Sequence, residues 1–422
     1  MRRYGKISFI WPSPALLRER CFLALLLVLW TYPSLGGYVV QVIKRLPLAG
    51  YFHGAAIPAL VAVLVIFSVG YIAKNLRPAD ILFYMAVVLL LLMSMMLMET
   101  NAEYIELFLW QILISVVPLY FVGLSVELPK CRKLLWWASL ACVLTTCAYQ
   151  LYVMSRGRAL PEENMSTAYK VLPSMLYLVY WAFRQRKLIH GLLVALSGLL
   201  VFLFGTRGPV VVFLVYLAVE LYLWKIRGLE SWKKALFLMS AVFVLFCMSY
   251  GSVFENLLGH LKEIFEAHGF STRVLDYMLD GDFTHGNGRE ELSDIISPAI
   301  WERPFLGYGI MGDRVLTGGR YVHSIALELW CDFGIVFGTI LLAVIYGMPL
   351  LALLKCRGTD TFHFILLLMC AMLIKLLLSS SFLLEPDLFL LLGVSVKVCR
   401  ARRMVPDEEN DKKSPAPVEI QR

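Results

Sequence analysis

Apolar runs follow one another along this chain with short polar connections between them, at 20–35, 55–73, 79–98, 104–124, 133–154, 168–183, 188–204, 209–225, 235–250, 328–354, 362–378 and 382–398. A helix rises about 1.5 Å per residue and must cover roughly 30 Å of hydrocarbon, so each run is near the length needed to cross a bilayer. The pattern therefore predicts an all-α integral membrane protein of about 12 transmembrane helices.

One long polar interval breaks this rhythm between the ninth and tenth runs. A connection of about seventy residues is far longer than two neighbouring helices need, and such loops are usually functional or disordered. This one has helical patterning. Val253, Phe254, Leu257, Leu258, Leu261, Ile264 and Phe265 form one stripe, with Glu255, Lys262, Glu263 and Glu266 opposite, as in an amphipathic helix. Ser271 can cap a second short helix, and Asp280-Gly-Asp and Gly286-Asn-Gly signal turns. A third helical stretch begins at Arg289 and carries Leu292, Ile295, Ile296, Ile300 and Trp301, with a kink or restart expected at Pro298. The organisation predicted is transmembrane helices 1–9 over 1–250, a catalytic loop over 251–322, helices 10–12 over 323–399 and a disordered tail over 400–422.

Composition supports this reading. The chain of 422 residues is 59% hydrophobic and 17% charged, with a mean hydropathy of +0.72, whereas soluble domains average about a quarter charged residues. The net charge of +8 is accounted for by membrane orientation rather than by nucleic acid. Lys and Arg concentrate before the first run, at 74–77, 130–133, 184–187, 225–234 and 355–357, and after the last run, which places both termini in the cytoplasm and the long loop outside. The first run has a basic start and no clear small-x-small cleavage site, so it reads as a retained signal anchor. The nine cysteines lie in or beside the apolar runs without any Cys-x-x-Cys, as small apolar fillers do.

On this topology three groups fall on the outer side. Arg207 lies in the turn Gly205-Thr-Arg-Gly208, Arg289 heads a loop helix, and His323 sits where the loop meets the tenth run. An ionisable group at such depth is a functional candidate. Each also has a structural reading: Arg207 snorkelling to headgroups, Arg289 pairing with Glu290 or Asp294, His323 as a hydrogen-bonding residue at a helix start. Gly334 and Gly338 read as a small-residue helix-packing pair. Lys375, deep in the eleventh run, calls for a buried acid or carbonyl as partner.

The ordered set formed by Gly205-Thr-Arg-Gly208, the Gly286-Asn-Gly-Arg turn, Trp301-x-x-Pro304, Gly307-Tyr-Gly309 and His323-Ser-x-x-x-Glu328-x-x-x-Asp-Phe-Gly334 resembles the O-antigen ligase and O-antigen or capsule polymerase superfamily. Ser324 stands where that family commonly has Asn. The resemblance implies a bacterial cytoplasmic-membrane glycosyltransferase that draws on an undecaprenyl-diphosphate-linked glycan. Its acceptor would be a glycan or lipid-linked sugar, with a chain-length regulator or flippase as possible partner and no cofactor. Under that chemistry Arg207 and Arg289, with Arg273 or Arg320 as a third, suit a diphosphate clamp, because guanidinium groups fork onto phosphate oxygens. His323 suits the base for the acceptor hydroxyl, and Glu328 suits a secondary role, orienting His323 or the acceptor. No carboxylate cluster shows metal-ligand spacing, so a metal-independent, inverting transfer is expected. Polymerase is preferred to ligase. A transporter fits less well, because the long loop follows the ninth run rather than the sixth and no half-to-half similarity is visible.

Overall fold

The apolar runs that fall among the described residues are helical. The structure, a computed structural model, describes residues 13–43, 56–155, 164–204, 207–226, 252–268, 289–378 and 380–401, with 272, 275–276 and 279. The helices are α1 (Pro14–Ile43), α2 (Ala56–Ile72), α3 (Pro78–Leu97), α4 (Glu99–Trp110), α5 (Leu119–Ser125), α6 (Leu128–Ser155), α7 (Asn164–Gln185) and α8 (Leu188–Leu203). They continue as α9 (Arg207–Leu221), α10 (Ser252–Ala267), α11 (Arg289–Glu302), α12 (Gly312–Leu316), α13 (Ile325–Lys355), α14 (Asp360–Leu378) and α15 (Pro386–Arg400). Among the described residues there is no strand.

Among the described residues five segments are long and apolar enough to cross a membrane: Pro78–Leu97, Glu99–Ser125, Leu128–Tyr152, Ile325–Lys355 and Asp360–Leu377. Shorter apolar helices cover Leu60–Asn75, Leu188–Val201 and Gly208–Trp224. The expected ninth run, 235–250, lies outside the described residues, as do the second loop helix for the most part and the tail from 402 onward. Two expected loop helices are present as α10 and α11, and α11 runs through Pro298 without a break.

The bases collect at one end of the bundle. Arg132 and Arg184 both hold Asp360, the former at 3.0 Å. Arg400 forks onto Asp80 with two contacts of 2.7 Å, and Tyr120 donates to the same carboxylate at 2.6 Å. Lys130 meets Glu19 at 2.8 Å, while Lys355 and Lys397 donate to the carbonyls of Cys399 and Val126, each at 2.7 Å. The opposite end is built from the other helix termini and from residues 303–324.

Tight helix contact occurs where α5 crosses α15. A Cβ on Gly123 would lie 2.9 Å from the Val394 nitrogen and 3.0 Å from the Gly393 Cα, so the two backbones touch only because both positions lack side chains. That role was expected of Gly334 and Gly338, and the structure assigns those two elsewhere. Gly334 adopts φ 75° and ψ 168° and breaks α13, while a Cβ on Gly338 would meet the Leu329 carbonyl of the same helix at 2.6 Å. The eight described cysteines are free thiols, five of them buried.

Candidate active site

The break at Gly334 explains why the glycine motif and the Asp-Phe-Gly motif occur together. Where α13 leaves helical geometry, the Cys331 and Asp332 carbonyls become available, and the loop supplies their donors. Tyr308 N–H donates to Cys331 at 2.8 Å and Gly309 N–H to Asp332 at 2.9 Å, while Ile335 N–H turns to Pro304 at 2.7 Å. Buried backbone groups must be paired, so the loop and the broken helix complete each other. Gly307 and Gly309 have φ of 65° and 80°, and a Cβ on Gly307 would lie 2.5 Å from the Cys331 oxygen. Asn101 fixes the motif from the far side, donating to the Tyr308 and Ile310 carbonyls at 2.8 and 2.9 Å.

Beneath this loop lies a buried charged cluster formed by Asp313, Arg314, Glu328 and Asp332, each no more than 3% exposed. Asp313 accepts from Val322 N–H at 3.1 Å and from Arg314 at 3.2 Å. Arg314 also faces Glu328 at 3.9 Å and lies 5.8 Å above the Phe108 ring. Asp332 accepts from Met311 N–H at 3.2 Å. Glu328 is held by the Ser381 hydroxyl and by Phe382 N–H, the latter at 3.2 Å. Burial pushes the Asp313 carboxyl above the ordinary carboxylate range, against the opposing pull of Arg314 and the backbone donors. One guanidinium among three buried carboxyls makes this a site able to hold a proton, beside the residue proposed as base.

His323 follows directly on Val322, which the cluster grips through Asp313. Its ring packs on Tyr321 with centroids 4.6 Å apart. Ser324 takes the N-cap position of α13 in extended geometry, with Glu328 N–H donating to its carbonyl at 2.9 Å. A small polar residue is favoured at that position, and Ser and Asn serve it about equally well. His323 is thus half-buried at the mouth of α13, with Glu328 a turn below in the cluster.

The remaining candidates are distributed around the same end. Arg207 is the first residue of α9, and Gly208 beside it packs against the Tyr169 hydroxyl. Lys375 lies 5.2 Å over the Tyr169 ring and bridges to Glu385 at 2.5 Å, which supplies the buried acid its depth required. Ser380 donates to Glu385 and Ser381 to Glu328, so the turn between α14 and α15 joins the start of α9 to the charged cluster. Arg289 opens α11. Arg320 forms an exposed ion pair with Glu291 at 3.2 Å, while its carbonyl accepts from Thr317. Arg273 lies outside the described residues. Among the described residues no group of three His, Cys, Asp or Glu is arranged to hold a metal ion.

Comparison with known proteins bears on this end of the molecule. The family model described as O-antigen ligase matches residues 192–343. Over those residues the match supports the resemblance to the O-antigen ligase and polymerase superfamily. The match runs from within α8, through the start of α9 and the long loop, to just beyond the break in α13, and so spans Arg207, the charged cluster and His323. No curated protein and no solved structure matches the chain. The matching family implies a glycosyltransferase-like activity, and the apolar helices fit a membrane-embedded frame.

Sequence reasoning missed Asp313 and Arg314. Their signal is a charged pair set between apolar neighbours, Ile310-Met311 before and Val315-Leu316 after, where a solvated loop would carry polar residues.

Proposed function

We propose that the protein polymerises undecaprenyl-diphosphate-linked repeat units of a surface polysaccharide at the outer face of the cytoplasmic membrane. The observation that carries the glycan transfer is the family match over the segment that holds Arg207, the buried cluster and His323; the preference for a polymerase rests on the Glu328-x-x-x-Asp-Phe-Gly334 run and Gly307-Tyr-Gly309. In the reaction the acceptor sugar hydroxyl attacks the anomeric carbon of the donor and the bond from that carbon to the diphosphate oxygen breaks. The hydroxyl proton passes to His323. Arg207 and Arg289, with Arg273 or Arg320 as a third, stabilise the charge left on the departing diphosphate. Attack opposite the leaving group inverts the anomeric centre. Arginine can provide the charge that a divalent ion provides elsewhere, so no metal is required by the scheme.

Concentration of Lys and Arg at the end opposite this site supports the orientation, because positive loops remain in the cytoplasm. The description of the matching family favours a second reading, in which the finished glycan is transferred to lipid A–core or another acceptor. Glycan chain length after loss of the protein separates the two. Single capped units without polymer indicate a polymerase; accumulation of lipid-linked polymer indicates a ligase; unchanged glycans contradict both.

A further inference from the structure

At the basic end, away from the candidate active site, a cavity of about 840 Å³ opens among α7, α9, α13 and α14. Three arginines line it, namely Arg184, Arg186 and Arg357. Arg184 is committed to Asp360. The acid in the wall, Glu220, is equally occupied, accepting from Tyr216 at 2.8 Å and meeting His363 Nδ1 at 2.8 Å. Arg186 and Arg357 are different. Among the described residues neither is paired with a carboxylate, and Arg186 instead lies 5.7 Å over the Trp224 ring. Its backbone is held at φ 53°, a left-handed conformation uncommon for a residue with a side chain.

The other walls are apolar. Leu350 and Leu354 of α13 line the cavity and are 54% and 51% exposed on a helix that is itself long and apolar enough to span the membrane. The cavity therefore opens toward lipid on one side and presents on the other two guanidinium groups that, among the described residues, face no carboxylate. We infer that it binds the phosphate-bearing headgroup of an anionic membrane lipid, with Arg186 and Arg357 on the phosphate and Leu350 and Leu354 along the start of the acyl chains. Guanidinium forks match phosphate oxygens, and a free phosphate ion would leave most of this volume and its leucine wall unused.

The site is separate from the proposed donor site. Beyond the break at Gly334, α13 runs on from Ile335 to Leu354, about 28 Å at the helical rise, so one headgroup cannot serve both. The lipid acts as a bound structural ligand of the leaflet at the basic end.

The test uses the purified full chain in detergent, with dioleoylphosphatidylglycerol, dioleoylphosphatidylcholine or inorganic phosphate as probe. Native mass spectrometry counts retained lipid and thermal melting reports stabilisation. Wild-type protein should retain phosphatidylglycerol in preference to phosphatidylcholine. Replacing Arg186→Gln and Arg357→Gln together should weaken that retention by roughly fivefold per arginine. Lys74→Gln with Lys133→Gln removes the same charge from exposed positions outside the cavity and should leave retention unchanged. Equal losses in the two double variants would show diffuse attraction and overturn the site. So would equal retention of the two lipids by wild type. Stabilisation by inorganic phosphate equal to that by phosphatidylglycerol would assign the arginines to a soluble anion and overturn the lipid.

Discussion

Replacing Gly334→Ala tests whether the break in α13 holds the loop in place. A Cβ there would stand 2.5 Å from the Phe305 carbonyl carbon, 2.6 Å from its oxygen and 2.7 Å from the Pro304 oxygen, all backbone atoms. The pair φ 75°, ψ 168° belongs to a region that is essentially reserved for glycine and costs a substituted residue about 1–3 kcal/mol. Relief of the clash requires the loop to withdraw, which removes the three hydrogen bonds made by Tyr308, Gly309 and Ile335, each worth about 0.5–1.5 kcal/mol net. The two contributions together reach about 3–7 kcal/mol, a large share of the about 5–15 kcal/mol that holds a typical protein folded. Alternatively α13 straightens and expels residues 304–309, and the buried cluster then loses its cover.

Both routes end in lost transfer activity, with exposed amides at Tyr308 and Gly309. The control is Gly347→Ala in the same helix, where an added Cβ meets nothing within 4 Å. That change should be neutral or stabilise by about 0.5–1 kcal/mol. Melting temperature in detergent, hydrogen exchange at the two amides and transfer activity are the readouts. Wild-type behaviour of Gly334→Ala in all three would refute the account of the break.

Arg207→Lys and Arg289→Lys preserve charge and remove the planar fork, so each should lose most activity at normal protein levels. Near-normal polymer from either would return that residue to a snorkelling or surface role. Asp313→Asn addresses the proton held in the cluster. Because burial raises the Asp313 carboxyl in the folded state, the folded protein binds a proton that the unfolded chain releases, and this contribution weakens stability as pH rises from about 4, the ordinary carboxylate value, through the raised value. The variant does not titrate, so the melting difference should move in its favour across that interval; parallel curves would mean that Asp313 ionises alike in both states.

Much of the frame was legible because hydropathy is a direct record of contact with lipid. The starts of α10 and α11 followed from stripe and turn signals, and the depth of Lys375 demanded a buried partner without saying that Glu385 would provide it. The break at Gly334 was not legible. A glycine in an apolar run fits helix packing as readily as it fits left-handed geometry, and only the loop carbonyl facing it decides between them. Asp313 and Arg314 escaped for a related reason: a polar loop appears solvated until its neighbours are known. Of the site residues, the sequence ordered Arg207, Arg289 and His323 along the chain and placed them on one side, while the contacts that join the α9 start to the cluster through Lys375, Glu385 and the two serines are made across helices far apart in sequence.

The most direct measurement is glycosyl transfer by the purified protein in lipid, supplied with an undecaprenyl-diphosphate-linked glycan as donor. Wild-type protein should lengthen the glycan and release undecaprenyl diphosphate, with EDTA present. His323→Gln should bind donor normally and transfer about 10²–10⁴-fold more slowly, the loss typical of a missing general base. Intact donor with wild-type protein, or wild-type turnover by His323→Gln, would contradict the account.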